Sequence, residues 1–354
     1  MVQSRKSGSK LPASQKHPPG ELALLDTIRA RAAVGALSVK GRSRIRLGIG
    51  DDCALLQLRP GEELAVTTDL SIEGRHFRLD WHPPESIGHR TLARGLSDLA
   101  AMGATPVAAF LSLGLPRELT EASGSSSAQP KTWVARFFDG LLALAAQHGV
   151  PLAGGDLAES PLAVADIVLT GSVPRGQALL RSGARPGDRI YVTGSLGGAA
   201  AELAALEQSP QSFARATLAS RTAPHLSPQP RLAQGLWLRK HGLASAAMDL
   251  SDGLSTDLAR LCAESGVAAE VDAKALPIAA EATAAMALHG GEDYELLFTA
   301  PQSAKLPKSI AGVPITAIGR ILRANSRKPR VSLRTESSVE PLEPHGWEHF
   351  SVGK

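Results

Sequence analysis

The segment Leu47-Gly-Ile-Gly-Asp-Asp-Cys-Ala-Leu-Leu56 places two glycines directly before two adjacent aspartates and follows them with an apolar run. Glycine permits backbone shapes and close approaches that other residues do not. Two neighbouring carboxylates repel each other unless a cation lies beside them, and aspartate oxygens suit hard divalent ions such as magnesium. The segment is also typical of a surface turn, so its interpretation depends on the acidic positions elsewhere in the chain.

The composition is that of an ordinary globular protein, since 43% of the 354 residues are hydrophobic and 20% are charged. The formal net charge is +4, but residues 1–20 contain four basic and no acidic side chains, which leaves 34 basic against 34 acidic residues in the remainder. Because residues 1–19 are also rich in Ser, Gly and Pro, we expect a disordered basic tail there. A nucleic-acid-binding body would need a clustered basic face, so no nucleic acid partner is expected.

Membrane insertion and secretion are not expected from this sequence. It has no run of 18 apolar residues, and the basic tail lacks the apolar core of a secretory signal. The two cysteines, Cys53 and Cys262, are far apart and form no Cys-x-x-Cys pair, which argues against a disulfide framework or a zinc site. A cytoplasmic location is therefore predicted.

Strand and helix patterns alternate through two halves of similar length, which predicts a mixed α/β fold with two domains. Pro174-Arg-Gly176 suggests a boundary between an N-terminal domain at 20–174 and a C-terminal domain at 175–354. The Ser-rich stretch 121–130 is predicted to be a surface insertion. The clearest patterns predict helices over 21–33, 83–102 and 133–148, and strands over 64–69, 107–115, 165–173 and 315–321.

Several apolar segments end in aspartates, namely Asp51, Asp52, Asp69, Asp98, Asp156, Asp249 and Asp252. Each could be structural on its own, and Asp252 also suits a helix N-terminus through the helix dipole. Asp98 lies in an apolar helical pattern, where a bare charge would be costly, so a partner is implied. So many carboxylates in one cleft would require several cations, and clustered divalent ions usually accompany substrate phosphates.

The familiar signatures of other phosphate-handling and hydrolytic enzymes are absent from the sequence. It contains no Gly-x-x-x-x-Gly-Lys-Ser/Thr loop, no protein-kinase His-Arg-Asp or Asp-Phe-Gly set, no Gly-x-Ser-x-Gly elbow and no His-Glu-x-x-His motif. The chemistry indicated by the carboxylates therefore does not belong to a P-loop kinase, a protein kinase or a zinc hydrolase.

Eight segments, spread over roughly residues 20–350, match one known family in order. They are Gly48-Ile-Gly-Asp-Asp52, Thr67-Thr-Asp69, Gly74-Arg-His-Phe77, Leu96-Ser-Asp-Leu-Ala-Ala-Met-Gly-Ala104, Gly154-Gly-Asp156, Arg181-Ser-Gly-Ala184, Asp249-Leu-Ser-Asp-Gly253 and Gly291-Glu-Asp-Tyr-Glu-Leu296. On these segments the chain resembles the thiamine-monophosphate kinases, of the superfamily that includes aminoimidazole-ribonucleotide synthetase and selenophosphate synthetase.

The resemblance implies a two-domain fold like that of aminoimidazole-ribonucleotide synthetase, with an N-terminal sheet domain that dimerises and a C-terminal α/β domain. It also implies a transferase of thiamine diphosphate biosynthesis, which phosphorylates thiamine monophosphate with ATP and several Mg²⁺ ions. The metal-ligand positions of the family match Asp52, Thr67, Thr68, Asp69, Asp98, Asp156, Asp249 and Asp252, of which Asp98, Asp156 and Asp252 are expected to support catalysis. Its ATP contacts match Gly155, Asp156, Arg181 and Ser251, and its substrate contacts match His76, Glu292 and Trp347.

Some positions keep a second interpretation. Arg181 is also typical of a surface arginine, His76 of a locally packed loop histidine and Glu292 of a helix-capping acid. The family pattern after Gly-Gly-Asp changes here to Leu157-Ala-Glu-Ser160, which leaves the local phosphate contacts open. An aromatic residue near the nucleotide could be supplied by any of Trp133, Phe137 and Phe138.

The acceptor in the implied reaction is a phosphate oxygen that is already anionic at neutral pH, so no general base is needed. Positioning and charge neutralisation should therefore carry the catalysis, by direct in-line transfer without a phospho-enzyme. Two alternative functions remain at this point: another ATP-dependent reaction of the same superfamily, and a non-catalytic nucleotide-binding regulator on the same fold.

Overall fold

The computed structural model describes residues 21–37, 44–50, 52–121, 132–210, 223–327, 330–347 and 350. The predicted basic tail, Asp51 and positions 122–130 of the predicted insertion lie outside these ranges. In the described part of the chain, no helix is both long and apolar enough to cross a bilayer.

The helices are α1 (Glu21–Leu37), α2 (Pro84–Ala101), α3 (Trp133–His148), α4 (Gly198–Gln208), α5 (Leu232–His241), α6 (Leu254–Ser265) and α7 (Ala284–His289). The strands are β1 (Ile45–Leu47), β2 (Leu55–Leu56), β3 (Glu62–Ile72), β4 (Thr105–Leu115), β5 (Leu152–Glu159), β6 (Val164–Pro174), β7 (Arg189–Thr193), β8 (Ala246–Asp249), β9 (Val267–Asp272), β10 (Leu296–Ala300), β11 (Ser309–Ile310), β12 (Val313–Arg323), β13 (Val331–Arg334) and β14 (Val339–Pro341). Short 3-10 helices lie at Arg117–Thr120 and Ala273–Ala275.

The first sheet has the strand order β3-β6-β4-β5, in which only the β4–β5 pair is parallel. Along β3, residues 65, 67, 69 and 71 are less exposed than residues 64, 66, 68 and 70. This alternation is the period of two that a sheet with one covered face requires. The covered face packs on α2, so side chains at the odd positions of β3 point towards that helix.

Helix α2 begins at Pro84 with Glu85 in its first turn, as the sequence predicts, and it is buried along most of its length. It packs closely on α3 because glycines lie where the two backbones meet. A Cβ atom on Gly88 would lie 1.9 Å from the Phe137 carbonyl oxygen, and one on Gly140 would lie 1.8 Å from that of Glu85. Larger residues at either glycine would force the helices apart.

The second sheet has the order β14-β13-β9-β12-β7-β10-β8, with β11 paired to β12. Helix α6 covers it with a buried stripe that includes Leu254, Leu258 and Leu261, and Gly266 ends the helix in the left-handed conformation (φ 67°). Both features match the sequence pattern. The structure thus confirms the predicted mixed α/β fold with two sheet-based halves.

Helix α2 also contacts the second half, through α5 and β8. Gly235 of α5 allows this approach, since a Cβ atom there would lie 1.9 Å from the Ala100 carbonyl oxygen. The C-terminal turns of α2 therefore lie between the two halves, and they carry Asp98 to the end of β8, where Asp249 is located.

Candidate active site

A cavity of about 540 Å³ lies between the two halves, and we call it the central cavity. The sequence-predicted site residues that line it are Asp69, His76, Asp98, Asp249, Ser251, Asp252, Glu292 and Trp347. They come from β3, α2, the end of β8, the loops after β3 and β8, the loop before β10 and the segment after β14, which explains why their positions are so far apart in the sequence. The fold therefore brings together acidic and substrate-contact positions that were singled out independently.

Three carboxylates form the acidic end of this cavity. The Thr67 hydroxyl of β3 donates a hydrogen bond to Asp98, and the Ser97 hydroxyl donates to Asp249 Oδ2 at 2.7 Å. Burial, and then the nearby Asp98 carboxylate, raise the pKa of Asp249 to about 8. Burial likewise raises the pKa of Asp98 despite the bond from Thr67. Asp98 therefore has a hydroxyl partner in Thr67, and the nearby charges of Arg181 and Arg94 also favour its ionised form.

Asp69 faces the same end of the cavity from β3. Burial, and then the nearby Asp98 carboxylate, raise the pKa of Asp69 to about 6. Its Oδ2 atom is buried without a hydrogen-bond partner in the described part of the chain, and Arg94 Nε lies 3.6 Å from its Oδ1. A buried carboxylate oxygen without a partner is costly, so this end of the cavity is suited to receive a cation.

Glu292 also lines the central cavity, and two buried side chains hold its carboxylate. Arg90 Nη2 of α2 donates to both Glu292 oxygens, at 2.8 and 3.0 Å, and His225 Nδ1 lies 3.1 Å from Oε2. Burial alone would raise the pKa of Glu292, but Arg90 and His225 outweigh burial and hold it well below its usual range. Glu292 is therefore an ionised acceptor and not a helix cap.

Two histidines form the wall behind Glu292. His225 Nε2 lies 3.0 Å from His82 Nε2, and both rings are buried. Burial, and then the Arg90 guanidinium, lower the pKa of His225 to about 4 and that of His82 to about 3. Both imidazoles are therefore neutral at physiological pH.

The loop that carries Glu292 is attached to the loop that carries the predicted ATP contact Ser251. Glu292 N donates to the Ser251 carbonyl at 2.8 Å, and Tyr294 N donates to the Leu250 carbonyl at 2.9 Å. Glu292 and Tyr294 both have left-handed backbones, with φ of 66° and 49°. Non-glycine residues adopt this conformation at a cost, and such strain concentrates at binding sites.

Asp252 is paired within the cavity wall. Arg260 of α6 forms ion pairs with Asp252 and with the buried Asp257, and the Asp252 carbonyl accepts from Trp347 N at 3.1 Å. This last contact brings the C-terminal segment, with its half-exposed Trp347, to the cavity. Arg181 is exposed and outside the lining, yet its charge lowers the pKa of Asp98 against the larger effect of burial. The structure thus places Arg181 beside the site and not within it.

A second cavity, of about 570 Å³, lies at the β5 edge of the first sheet, and we call it the edge cavity. Gly48, Gly50 and Asp52 of the β1–β2 connection line one side of it, and Gly155 and Asp156 of β5 line the other. Two aromatic side chains, Phe110 and Phe138, and residues 25, 26, 28 and 29 of α1 complete the wall. Among the three aromatic candidates from the sequence, Phe138 is the one that lines this cavity.

The two cavities lie at opposite edges of one sheet. Asp69, Ile167, Leu111 and Gly155 are register partners in a single row across β3, β6, β4 and β5. Three strand spacings separate the row's ends, which amounts to about 14 Å. The structure therefore does not bring Asp52 and Asp156 into the group formed by Asp69, Asp98 and Asp249.

The faces of this sheet divide the candidates further. The Thr67 hydroxyl points to α2 and Asp98, whereas the Thr68 hydroxyl donates to Asp166 Oδ1 at 2.8 Å on the opposite, exposed face. Adjacent residues of a strand point to opposite faces. The two threonines, treated alike by their sequence match, therefore serve different sides of the sheet.

Sequence reasoning did not single out Arg90, Arg94 or His225, although all three line the central cavity or hold its wall. The spacing of the two arginines in the sequence could have indicated that they belong to the site. Arg90, Arg94 and Asp98 are spaced by four residues, which puts three charges on one face of a helix that is otherwise apolar. His225 lies in a proline-rich turn without any periodic pattern, so the sequence offers no comparable signal.

The metal-binding prediction has partial geometric support. The unpartnered Asp69 oxygen and the mutually repelling carboxylates suit a hard cation. In the described ranges, however, no three His, Cys, Asp or Glu side chains are already grouped as a metal-ligand set. Bound phosphate oxygens would have to complete the coordination, as is usual for Mg²⁺.

Comparisons with known proteins agree with this architecture. Family models of the N-terminal and C-terminal domains of AIR synthase related proteins match residues 50–173 and 185–331. Thiamine-monophosphate kinase of Salmonella typhimurium is 41% identical over 295 residues, which cover 79% of this chain and 85% of that protein.

Solved structures give the same result. The thiamine-monophosphate kinase structure from Stenotrophomonas maltophilia K279a matches with a TM-score of 0.72 and 39% identity, covering 90% of this chain and 96% of that one. AaThiL complexed with AMPPCP and TMP matches with a TM-score of 0.68 and 30% identity, over 94% and 97% of the two chains. The chain belongs to the thiamine-monophosphate kinase family of AIR synthase related proteins.

Proposed function

We propose that this protein transfers the γ-phosphoryl group of ATP to thiamine monophosphate, giving thiamine diphosphate and ADP. The observation that carries the proposal is the central cavity, whose lining combines the carboxylates Asp69, Asp98 and Asp249 with Glu292, His76 and Trp347. A substrate that combines a phosphate group with a polar aromatic ring system fits a lining of this kind. Its relatives are named for this reaction, and AaThiL is complexed with AMPPCP and TMP.

Charge neutralisation is the main requirement of this reaction, since two anionic phosphates must approach each other. Asp69, Asp98 and Asp249 would hold Mg²⁺, which supplies positive charge to phosphate oxygens when it is bound. The chain's own contribution is to fix these carboxylates, by the hydroxyl bonds from Thr67 and Ser97. An acceptor that is already anionic needs no base, so we infer direct in-line transfer.

A coupled assay for thiamine diphosphate, with purified protein, ATP and Mg²⁺, tests the activity. We expect product formation with thiamine monophosphate and none with aminoimidazole precursors or selenide, the acceptors relevant to other members of the superfamily. Rapid quench with labelled ATP tests the mechanism, and a covalent phospho-protein intermediate would contradict direct transfer. Absence of turnover with full nucleotide binding would favour a regulatory protein instead.

Metal binding can be tested without turnover. Ligands that bind only the folded state raise the midpoint of thermal unfolding. Mg²⁺ should therefore raise the midpoint of the wild-type protein by more than it raises that of Asp249→Asn, in the absence of ATP and substrate. An equal shift in both proteins would remove Asp249 from the proposed ligands.

We propose that the edge cavity binds part of the nucleotide. Gly155 and Asp156 match ATP contacts of the family, and Phe110 and Phe138 offer aromatic surfaces in the same cavity. Gly155 is exposed at this edge, and a Cβ atom there would lie 1.9 Å from the Leu111 carbonyl oxygen, so the position requires glycine. Arg181 and Ser251, the other matched ATP contacts, lie near the central cavity, so the bound nucleotide would have to connect the two regions.

A homodimer is also proposed. The edge strand β3 exposes Leu64, Val66 and Leu70, whose exposed fractions are 48%, 60% and 46%, in a row on the face opposite α2. Thr68 and Asp156 are exposed as well, so pairing through this face would bring a second copy close to these two residues. An exposed apolar edge strand is an unfavourable surface unless another chain covers it.

Light scattering after size exclusion tests the dimer. Val66→Asp should give a monomer, whereas the matched change Val339→Asp, at a 57% exposed valine on the edge of the second sheet, should leave the dimer intact. A wild-type protein that runs as a monomer would contradict the proposal.

A further inference from the structure

One buried arginine connects the separate segments that carry His76, His225 and Glu292, all of which line the central cavity. The Arg90 side chain is only 6% exposed. Its Nη2 atom donates to both oxygens of Glu292 and to the His76 carbonyl at 3.1 Å, and its Nη1 atom donates to the His225 carbonyl at 2.5 Å. Arg90 belongs to α2, so it connects the first half of the chain with two loops of the second half.

The segments joined by Arg90 have little regular structure of their own. Glu292 lies in a loop with a left-handed backbone, a conformation that persists only when its surroundings hold it. His76 lies in the loop after β3, where its ring Nδ1 accepts a hydrogen bond from Ile72 N at 3.0 Å. Arg90 provides a hydrogen-bonded contact that is common to both loops.

The histidine pair behind Arg90 supports this arrangement. Arg90 Nη1 lies 2.9 Å from His225 Nδ1, and the backbone N–H and carbonyl of Arg78 lie 3.1 and 3.2 Å from His82 Nδ1. If Arg90 donates to His225 Nδ1, His225 Nε2–H donates to His82 and His82 Nδ1–H donates to the Arg78 carbonyl. In the reverse direction, Arg78 N–H donates to His82 Nδ1 and His82 Nε2–H donates to His225 Nε2. His225 Nδ1–H then donates to Glu292 Oε2. Every ring nitrogen is satisfied in either direction.

We propose that Arg90, supported by His225, is a positioning residue that sets the affinity for the substrate at Glu292 and His76 without contributing to ATP binding. The inference rests on the proposed function, because it assigns Glu292 and His76 to thiamine monophosphate. Arg90 does not itself line the cavity. Its effect must therefore pass through the side chain and backbone that it holds.

The geometry makes a specific demand on the residue at this position. The planar guanidinium of arginine presents several donors in a fixed fork, whereas the lysine ammonium is a compact point charge. Lysine at position 90 would keep the charge beside Glu292 but could not reach two Glu292 oxygens and two carbonyls at once. Arg90→Lys therefore keeps the positive charge beside Glu292 but removes the set of hydrogen bonds that fixes the two loops, so the two effects can be measured separately.

The first experiment measures KM for thiamine monophosphate, KM for ATP and kcat in the wild-type protein and in Arg90→Lys. We expect KM for thiamine monophosphate to rise about tenfold or more, the change that corresponds to about 1.4 kcal/mol, with KM for ATP within about twofold of wild type. Calorimetry with thiamine monophosphate alone should show the same weakening. Arg136→Lys is the matched control, because Arg136 forms a similar bidentate pair with Glu85 and neither residue lines either cavity, and it should change neither constant.

A pair of substitutions at His225 gives an independent test if Arg90→Lys fails to fold. The amide of asparagine can occupy the place of Nδ1, next to Arg90 and Glu292, whereas the amide of glutamine can occupy the place of Nε2, next to His82. We expect His225→Asn to keep KM for thiamine monophosphate within about threefold of wild type, and His225→Gln to raise it about tenfold, because only the first retains the contact with Arg90 and Glu292.

The outcomes distinguish this inference from the proposed function. An inactive wild-type protein would refute the proposed function. An active wild-type protein with an unchanged KM for thiamine monophosphate in Arg90→Lys would overturn the positioning role. Equal increases in both KM values would also overturn it, since they would indicate a general structural effect. If only the His225 variants fold, equal KM values for Asn and Gln would decide against the inference.

Discussion

The central cavity and the edge cavity have almost equal volumes, but their linings differ. The central cavity holds three carboxylates with perturbed pKa values, an ionised glutamate and several buried cationic or neutral partners. The edge cavity is lined by glycines, aromatic rings and aliphatic side chains, with Asp26, Asp52 and Asp156 as its acids. The difference supports our proposal that phosphoryl transfer takes place at the central cavity and that the edge cavity holds part of the nucleotide.

Asp98 offers the most direct test of the role proposed for the central cavity. Asp98→Asn should lower kcat by about 10³-fold or more, because a carboxylate that organises charge at the transferring phosphoryl group is lost. The variant should fold at least as well as wild type, since burial of this carboxylate is unfavourable. Circular dichroism and the coupled assay check both statements.

Asp272→Asn serves as the control, because Asp272 pairs with Arg334 on the surface of the second sheet. It should leave kcat unchanged. Full activity of Asp98→Asn would remove the central cavity from the chemistry.

Low pH should lower the free energy of unfolding, because His225 and His82 are buried beside Glu292. The pKa values of His225 and His82, about 4 and about 3, lie below the ordinary value of 6.5. The unfolded chain therefore binds more protons, so stability is fully present above pH 6.5 and is lost as the pH falls towards 4.

Denaturant unfolding at pH 7, 6 and 5 measures the slope of the unfolding free energy against pH. It should be smaller in His225→Asn, which has no imidazole to protonate at that position. An identical slope in both proteins would show that other groups govern acid sensitivity.

At the edge cavity, Asp156→Asn should act on the nucleotide. We expect KM for ATP to rise about tenfold, equivalent to about 1.4 kcal/mol, while KM for thiamine monophosphate stays within about twofold. Initial rates with each substrate varied in turn give both constants. A selective rise in KM for thiamine monophosphate would reverse the roles given to the two cavities.

The smallest effect is a change in labelling rate. Cys53 is exposed and lines the edge cavity, whereas Cys262 is buried and its pKa is raised to about 12 by burial. A thiol reagent should therefore modify Cys53 and spare Cys262, since the thiolate is the reactive form. AMPPCP should slow the modification several-fold, and thiamine monophosphate should not, if the edge cavity holds nucleotide.

Peptide mapping after labelling identifies the modified residue, and Cys53→Ser provides the blank. Protection by thiamine monophosphate alone would place the acceptor, and not the nucleotide, in the edge cavity.

Local patterns were sufficient for most of the architecture. Apolar periodicity and the glycine that follows His148 predicted α3 at the bounds observed, and the alternating pattern near residues 165–173 predicted β6 within one residue at each end. These elements follow from short-range physics, namely side-chain period, capping and steric limits. Strand β3 extends further than predicted, over Glu62–Ile72, because pairing with β6 adds residues that local preference does not select.

The sequence by itself determined which residues could be functional, because carboxylates after apolar segments and the family's segments are visible in the chain. The tertiary structure decided how they are grouped. Sheet register places Asp69 and Gly155 at opposite ends of one row, and strand alternation separates Thr67 from Thr68. It also decided that Arg90, from a helix in the first half, holds Glu292 in the second. Contacts of this kind depend on long-range packing, which no local pattern encodes.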